Sequence, residues 1–459
     1  MFCKWTYGLA FCLAGTAGLA YAAPPNANGR ASVIQGAQSS VTAADDEEEE
    51  FEDGQVQQAS ALTYDAGDAG PMGGCQTCQQ DGSVLGGCGK LCESGPARGF
   101  WGRAEYLYWW VQGQQTPALV TTSPVGTAQA AAGVLPGATT LFGGNQINGQ
   151  GRSGGRMTFG YWFDPHETVG VESTTLFLQT ANTSYNSGGS SGTPILARPF
   201  ANAATGINDA NLIAFPGLVS GQIGVAATTK VFGTEVNFRR MIAATGNRRT
   251  DVLMGYRFLR MDEGLEVATN STSIATGGAV PVGTTFNIHD TFGTQNQFNG
   301  GNLGLRTEWF HNDRWSFDLV GKAALGAMRE TVTIQGNTVT TIPGMAPVSA
   351  AGGILAQPQT LTGVGPGGNI GTYSRTRLAA IPEIDANLHF QLTPIWRLNV
   401  GYSLLYLTNA VRPGNQIDPI TDPNRFPPAT TPVSQHPVFS YSERSVFMQG
   451  INLGVEARF

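Results

Sequence analysis

The stretch GFWGRAEYLYWW, residues 99–110, carries two faces of different chemistry that alternate at every second residue. Phe100, Tyr106 and Trp110 fall on one face, and Arg103 and Glu105 fall on the other. Because successive side chains of a β-strand point to opposite sides, this pattern predicts a strand with one apolar and one charged face. Segments of similar length repeat the pattern as far as the closing INLGVEARF, residues 451–459, and give ten candidate strands in all.

Short and long connections alternate between these candidate strands. Tight turns are predicted at or near Asp164–Glu167, Ala243–Asn247, Asn312–Asp313 and Thr393–Pro394. The intervening connections are long and cover residues 112–155, 180–229, 262–296, 328–376 and 408–444. Short periplasmic turns and long outer loops are typical of transmembrane β-barrels. The sequence therefore predicts an all-β, antiparallel, up-and-down transmembrane barrel of ten strands with both termini in the periplasm.

Two segments inside the long connections leave the number of strands open. Leu212–Val225 and Thr331–Thr341 are candidate strands that could form hairpins above the membrane. Either could instead raise the strand count of the barrel to twelve.

Aromatic and charged residues predict which face meets lipid. Aromatic side chains gather near the predicted turns, as interfacial girdles require, at Trp162, Phe163, Trp309, Phe310, Trp315 and Trp396. The charged faces carry both signs, which could neutralise one another in a narrow lumen. The predicted lumen polar network comprises Arg103, Glu105, Glu235, Arg239, Arg257, Arg306, Glu308, Asp318, Lys322, Glu383, Asp385, His389, Arg397, Glu456 and Arg458.

Charged residues make up 13% of the 459-residue chain, well below the roughly 25% of an ordinary soluble domain. The net charge of -7 is concentrated in the run DDEEEEFED, residues 45–53. Outside that run, acidic and basic residues are nearly balanced. This balance gives no reason to expect nucleic acid as a partner.

The N-terminus has the features of a secretory signal. Lys4 precedes a mostly apolar run from Leu9 to Leu19, and Ala20-Tyr21-Ala22 fits the small-x-small cleavage rule. The predicted organisation is a signal peptide at 1–22, a disordered periplasmic tail at 23–98 and an outer-membrane barrel at 99–459. The tail is rich in Ala, Gly, Gln, Ser and Asp, and such a composition buries too little apolar surface to fold.

Four cysteines lie close together in the predicted tail: Cys75, Cys78, Cys88 and Cys92. Export favours oxidation, so two disulfides are expected, with three pairings possible. The spacing also permits a tetrahedral zinc site, and the thiols could instead form crosslinks to other envelope proteins.

Catalytic motifs are missing from the sequence. The nucleophile elbow, the P-loop, the His-Glu-x-x-His zinc motif and the calcium loop are all absent. His389 lies beside Asp385 and Glu383 on one predicted strand face, and this is the one group that resembles acid–base machinery. Its position near the predicted turn at Thr393–Pro394 favours a lumen polar network at the periplasmic end. We therefore expect no enzyme activity, no cofactor and no bound metal in the barrel.

Several segments carry a resemblance to a known family. They are the opening GFWGRAEYLYWW and, after it, residues 117–124, 135–144, 156–172, 237–266 and 454–459. Together they resemble a family of outer-membrane β-barrel proteins expanded in Planctomycetes, over essentially residues 99–459. The resemblance implies the fold and the location. It also implies that the terminal Phe459 acts as the signal read by the barrel-assembly machinery, and it brings no catalytic residues.

Three functions are compatible with these observations. The first is a structural or surface-interaction role, in which the barrel anchors long neutral loops and a periplasmic tail. The alternative is a narrow passive pore for small solutes, and an outer-membrane hydrolase is less favoured. The expected partners are outer-membrane lipid, the barrel-assembly machinery and other envelope proteins that the tail could contact.

Overall fold

The computed structural model describes residues 99–362 and 365–459. The predicted signal peptide, the tail at 23–98 and its four cysteines lie outside the described residues. Ten long strands form the main sheet: β1 Phe100–Val111, β2 Gly151–Trp162, β3 Val169–Asn186, β4 Val219–Thr245, β5 Arg248–Ser273, β6 Thr285–Phe310, β7 Trp315–Thr341, β8 Gly371–Gln391, β9 Trp396–Val411 and β10 Glu443–Arg458.

The ten strands close into a ring. Each pairs antiparallel with the next along the chain, and β1 pairs with β10 from Trp101↔Arg458 to Val111↔Met448. The predicted all-β, antiparallel architecture is therefore confirmed. The described helices are three short 3₁₀ turns, and none of them has the length or apolarity to cross a membrane.

The wall has two faces that follow the alternation seen in the sequence. On β1, Arg103 and Glu105 are buried, whereas Tyr106 and Tyr108 are exposed on the outside. The same exposed apolar row continues around the ring, with members on every strand such as Phe159, Phe177, Phe238, Tyr256, Leu305, Phe317, Leu388, Tyr402 and Leu453. A sheet whose apolar side faces outward fits a surrounding of lipid, not water.

Strands β4 to β7 are 26 or 27 residues long, although about ten residues suffice to cross a bilayer. Their upper halves occupy much of what the sequence predicted as long loops at 262–296 and 328–376, so those boundaries were wrong. There, the outward side chains are mostly polar or glycine, as at Thr291, Gly293, Gln295 and Gln297 on β6. The lipid-type alternation is therefore absent from this part of the wall.

Neither of the two segments that left the strand count open adds a strand to the ring. Thr331–Thr341 is the upper part of β7. Leu212–Val225 contains the end of a short hairpin strand, Asn208–Ala214, and the beginning of β4. A four-residue strand, Val348–Ala351, pairs with the top of β7 at Asn337–Thr340.

The ladder between β8 and β9 is shorter than either strand. It runs from Glu383↔Leu405 to Gln391↔Arg397 and stops beside Pro382. The N–H of Ala380, two residues away on the same edge, donates to the side chain of Thr408 at 2.8 Å. Pro382 lies between the last ladder pair and Ala380, and proline has no N–H to donate to β9. The ladder therefore ends at this residue.

The long connections fold into a small sheet, which we call the cap. Its strands are Ala118–Thr122, Thr139–Gly143, Leu196–Asn202, Asn208–Ala214 and Ile420–Thr421. Cap residues Leu119, Leu196 and Ile213 pack in one apolar cluster with wall residues Val267 and Phe292, all at most 1% exposed. The cap therefore fills the interior of the upper barrel.

Candidate functional site

The lower lumen holds a layer of buried charged side chains, and buried charge of this kind concentrates at functional sites. Thirteen of the fifteen residues predicted for the lumen network are buried, and Lys322 and Arg458 are partly exposed. Their partners lie on opposite sides of the ring as well as on adjacent strands, which places them inside the barrel. Nearly equal numbers of cations and carboxylates pair in this layer: Arg103, Arg156, Arg239, Arg249, Arg257, Arg306, Lys322, Arg397 and Arg458 with Glu105, Glu167, Glu172, Glu235, Asp251, Glu308, Asp318, Glu383, Asp385 and Glu456.

Two ion-pair clusters cross the lumen. Arg156 on β2 contacts Glu105 on β1 at 2.5 Å and Asp385 on β8 at 3.0 Å. On the other side, Lys322 on β7 lies 2.7 Å from Glu235 on β4 and 2.9 Å from Glu383 on β8. Arg257 on β5 contacts the same two glutamates. Strands far apart in the ring are thereby joined through its centre.

His389 is 1% exposed, and its partner differs from the one that the sequence suggested. Its Nε2 lies 3.0 Å from Asp318 Oδ2 on β7, an oxygen that also lies 2.5 Å from Arg306 Nη2. Asp385 and Glu383, its neighbours on β8, are engaged by the arginines and lysine described above. The expected grouping was therefore wrong in its members, because residues four apart on one face of a strand lie roughly 13 Å apart along the strand.

The mouth at the end of the short turns is closed by a third cluster. Glu456 on β10 contacts Arg458 at 2.9 Å and Arg103 at 3.3 Å. Trp162 is 8% exposed and lies between Arg239 and Arg249, whose guanidinium carbons are 4.7 and 4.8 Å from its ring centre. Placing Trp162 in the outer aromatic girdle was wrong, because its parity on β2 turns it inward.

Several members of the charged layer were missed by the sequence analysis. Arg156, Glu172 and Asp251 are buried there, and Arg249 lines the mouth. Strand parity could have found Arg156 and Asp251, since both fall on the charged faces of their strands. Uncharged members such as Asn302, which donates to Glu235 at 3.3 Å and to Asn237 at 3.0 Å, gave no comparable signal.

Above the charged layer lies an apolar layer that the sequence analysis did not anticipate. Along β1 the inward side chains change from Arg103 and Glu105 to Leu107, Trp109 and Val111. The same layer includes Leu176, Leu178, Val231, Leu259, Met261, Phe298, Met328, Ile381, Leu405 and Met448. On β3 the inward Leu176 and Leu178 belong to this layer.

Polar anchors tie the cap and its loops to the wall above the apolar layer. Arg412 donates two hydrogen bonds to the carboxylate of Glu263, from Nη2 at 2.7 Å and from Nε at 2.8 Å. Arg198 of the cap lies 2.6 Å from Asp290 on β6, with both side chains at most 2% exposed. Asp290 also accepts hydrogen bonds from the backbone N–H groups of residues 354–356.

Little free space remains among the lumen charges. A cavity beside Arg156, Glu235 and Lys322 has a volume of about 50 Å³, and one beside Trp162 and Arg458 has about 80 Å³. Each holds a few water molecules at most. Among the described residues, no group of three or more His, Cys, Asp or Glu side chains is arranged to hold a metal ion.

A family model matches residues 101–459, and its description is "Putative beta barrel porin-7". The chain belongs to this family. The match covers the whole ring of strands together with the cap, and it agrees with the outer-membrane barrel family that the sequence resembles. No curated protein matches the chain.

Solved outer-membrane proteins show distant similarity to this member of the porin-7 family. The outer membrane protease OmpT from Escherichia coli is 11% identical, covering 79% of this chain and 98% of its own, with a TM-score of 0.34. The Pseudomonas putida toluene transporter TodX is 9% identical over 80% and 93%, with a TM-score of 0.18. A Pseudomonas aeruginosa FadL homologue is 8% identical over 78% and 89%, with a TM-score of 0.20.

Proposed function

We propose that this protein is an outer-membrane β-barrel with a structural or surface-interaction role, in which the closed barrel holds the folded cap at the cell surface. Ten strands cross the membrane, and both termini lie on the periplasmic side. Membership of a porin family and the outward apolar rows support the membrane location. The short turns end the strands at the side of the termini, whereas the cap lies at the opposite end.

One observation carries the structural role: the lumen is occupied along its length. Ion pairs cross it near the periplasmic end, apolar side chains fill the next layer, and the cap packs inside the upper wall. Moving ions through the apolar layer has a high desolvation cost. Opening the charged layer would leave buried charges without partners.

Solute uptake by liposomes tests this role. Liposomes carrying the purified, folded protein should swell in isotonic arabinose no faster than protein-free liposomes, and a general porin serves as the positive control. Swelling that rises with the amount of folded protein would contradict the closed barrel. A passive pore is the second candidate, and the description of the family as porins favours it.

We also propose that the protein has no hydrolase activity. His389 is buried at the periplasmic end and bonded to Asp318, so no substrate can reach it without disrupting the layer. Peptide and ester substrates should remain intact in the presence of the folded protein. Hydrolysis that His389→Ala abolishes would overturn this proposal.

The predicted N-terminal tail has a separate proposed role, crosslinking through its cysteines. We propose that Cys75, Cys78, Cys88 or Cys92 links the protein to other envelope components. Replacing all four by Ser should remove reducible high-mass species from envelope extracts while leaving folded barrel in place. Unchanged high-mass species would contradict the link.

A further inference from the structure

Two adjoining grooves on the outside of the barrel form a continuous surface near the outer edge of the apolar belt. The lower groove has a volume of about 790 Å³ and contains Trp110, Tyr406 and Phe447. The upper groove has about 740 Å³ and runs along residues 140–150. Gln146 and Gly149 line both, so the two grooves are contiguous.

The lower groove lies where the outward side chains change from aromatic to polar. Beyond Tyr406 on β9 the next outward residue is Thr408, and beyond Trp110 on β1 it is Gln112. Exposed aromatic side chains at such a boundary mark the level of lipid headgroups. The lower groove is therefore continuous with the lipid-facing surface.

Arg444 is the only charged residue that lines either groove. It is exposed and forms no ion pair within residues 99–362 and 365–459. The adjacent Glu443 is directed to Arg375 and Arg377 instead, the latter at 3.4 Å. An unpaired guanidinium beside aromatic rings suits a phosphate group.

The upper groove is uncharged and built from amides, hydroxyls and backbone. Its loop is held in place by Asn148, which is 2% exposed and donates to Thr229 at 2.8 Å. The carbonyl of Asn148 accepts from Arg152 at 2.8 Å, and the side chain of Gln150 donates to Thr183 at 3.1 Å. A rigid set of amide and hydroxyl groups suits the hydroxyls of a sugar.

We infer that the two grooves form one binding site for the phosphorylated sugar headgroup of an outer-leaflet glycolipid. Arg444 binds the phosphate, the aromatic residues contact the acyl chains, and the loop at 140–150 binds the sugar. This inference rests on the proposed placement in the outer membrane. It does not depend on whether the lumen conducts, so its failure is distinct from failure of the closed-barrel proposal.

Native mass spectrometry of the full chain in detergent tests the phosphate contact, with diphosphoryl lipid A as the probe. Arg444→Ala should weaken binding about tenfold, as expected for the loss of one charge-assisted bond. Arg329→Ala is the matched control, since this arginine is also exposed on the outer wall and unpaired in the described chain. Equal affinity in all three proteins would overturn the site.

The sugar contact has its own variant. Gln146 is exposed, lines both grooves and makes no side-chain hydrogen bond in the described chain, so Gln146→Ala should fold normally. It should weaken lipid A binding and leave phosphatidylglycerol binding unchanged, because the latter lacks the sugar. If phosphatidylglycerol binds as tightly as lipid A, the assignment of the upper groove to a sugar is wrong.

Discussion

At the scale of single residues, the lumen charges stabilise the barrel only as a neutralised set. Glu383 is 3% exposed and is the shared partner of Arg257 and Lys322. Removal of one member leaves the others as unpaired buried charges, which is much more destabilising than the loss of a surface pair.

Glu383→Gln should therefore lower the free energy of unfolding by about 3–5 kcal/mol, measured by urea unfolding of the refolded protein in detergent. Glu266→Gln is the control, because Glu266 is exposed on the outer face, and its effect should be within about 0.5 kcal/mol. Equal effects of the two substitutions would contradict the buried network.

Asp164 organises the short turn between β2 and β3. Its carboxylate accepts from the backbone N–H of Val169 at 2.8 Å and of Thr168 at 2.9 Å. Burial acts to raise the pKa of Asp164, but these hydrogen bonds outweigh it and hold the pKa below the usual value. The ionised form is therefore the one that stabilises the turn.

Asp164→Ala should destabilise the protein by about 1 kcal/mol at pH 7. Because the folded-state pKa is lowered, this difference is complete above the ordinary Asp pKa of about 3.9 and disappears as the pH falls through the lowered value. Urea unfolding of both proteins at pH 7 and in stronger acid measures it. A difference that persists unchanged below both pKa values would contradict the role of the carboxylate.

The partner of His389 shows what sequence can predict about a single side chain. Strand parity correctly placed His389 on an inward face, since parity is a local property. Its contact with Asp318, 71 residues away, depends on the pairing of β7 with β8 and on side chains across the lumen. The local alternation of polar and apolar residues does not determine how β7 and β8 are aligned.

At the scale of elements, the membrane-facing halves of the strands were predictable and the upper halves were not. Outward apolar residues alternate with inward charges near the turns, but above the belt the outward residues become mostly polar or glycine. The inward residues become mostly apolar at the same height, as at Leu259, Met261, Leu265 and Val267 on β5. Both faces change polarity at this height. A prediction based on outward apolar and inward charged residues therefore ends the strand there.

Asp290 is the main polar link between the cap, the loop at 353–357 and β6. Asp290→Ala should loosen the attachment of the cap and of the loop at 353–357 to β6. The substitution removes the partner of Arg198 and the acceptor of three backbone N–H groups. Amide hydrogen exchange should accelerate in residues 196–202 and 353–357 while the lower strands remain protected.

Glu266→Ala, an exposed carboxylate substitution on the neighbouring strand, should leave that exchange unchanged. Unaltered protection of the cap in Asp290→Ala would mean that its apolar contacts alone hold it, contrary to the role given to Asp290.

At the scale of the whole molecule, the ring, the charged layer, the apolar layer and the cap form one body. The sequence predicted the closed antiparallel barrel because each strand carries its own two-faced pattern. It could not predict the filling, because the apolar layer and the cap are assembled from residues far apart in the chain, such as Trp109 and Phe298.

Single-channel recording in a planar bilayer tests the closed barrel most directly. The full chain and a form lacking residues 23–98 should be compared, each verified as folded by its resistance to unfolding in detergent. Neither form should produce conductance steps, because side chains of the barrel and the cap fill the lumen. Discrete steps from folded protein, in either form, would show an open path through the lumen and contradict the closed barrel.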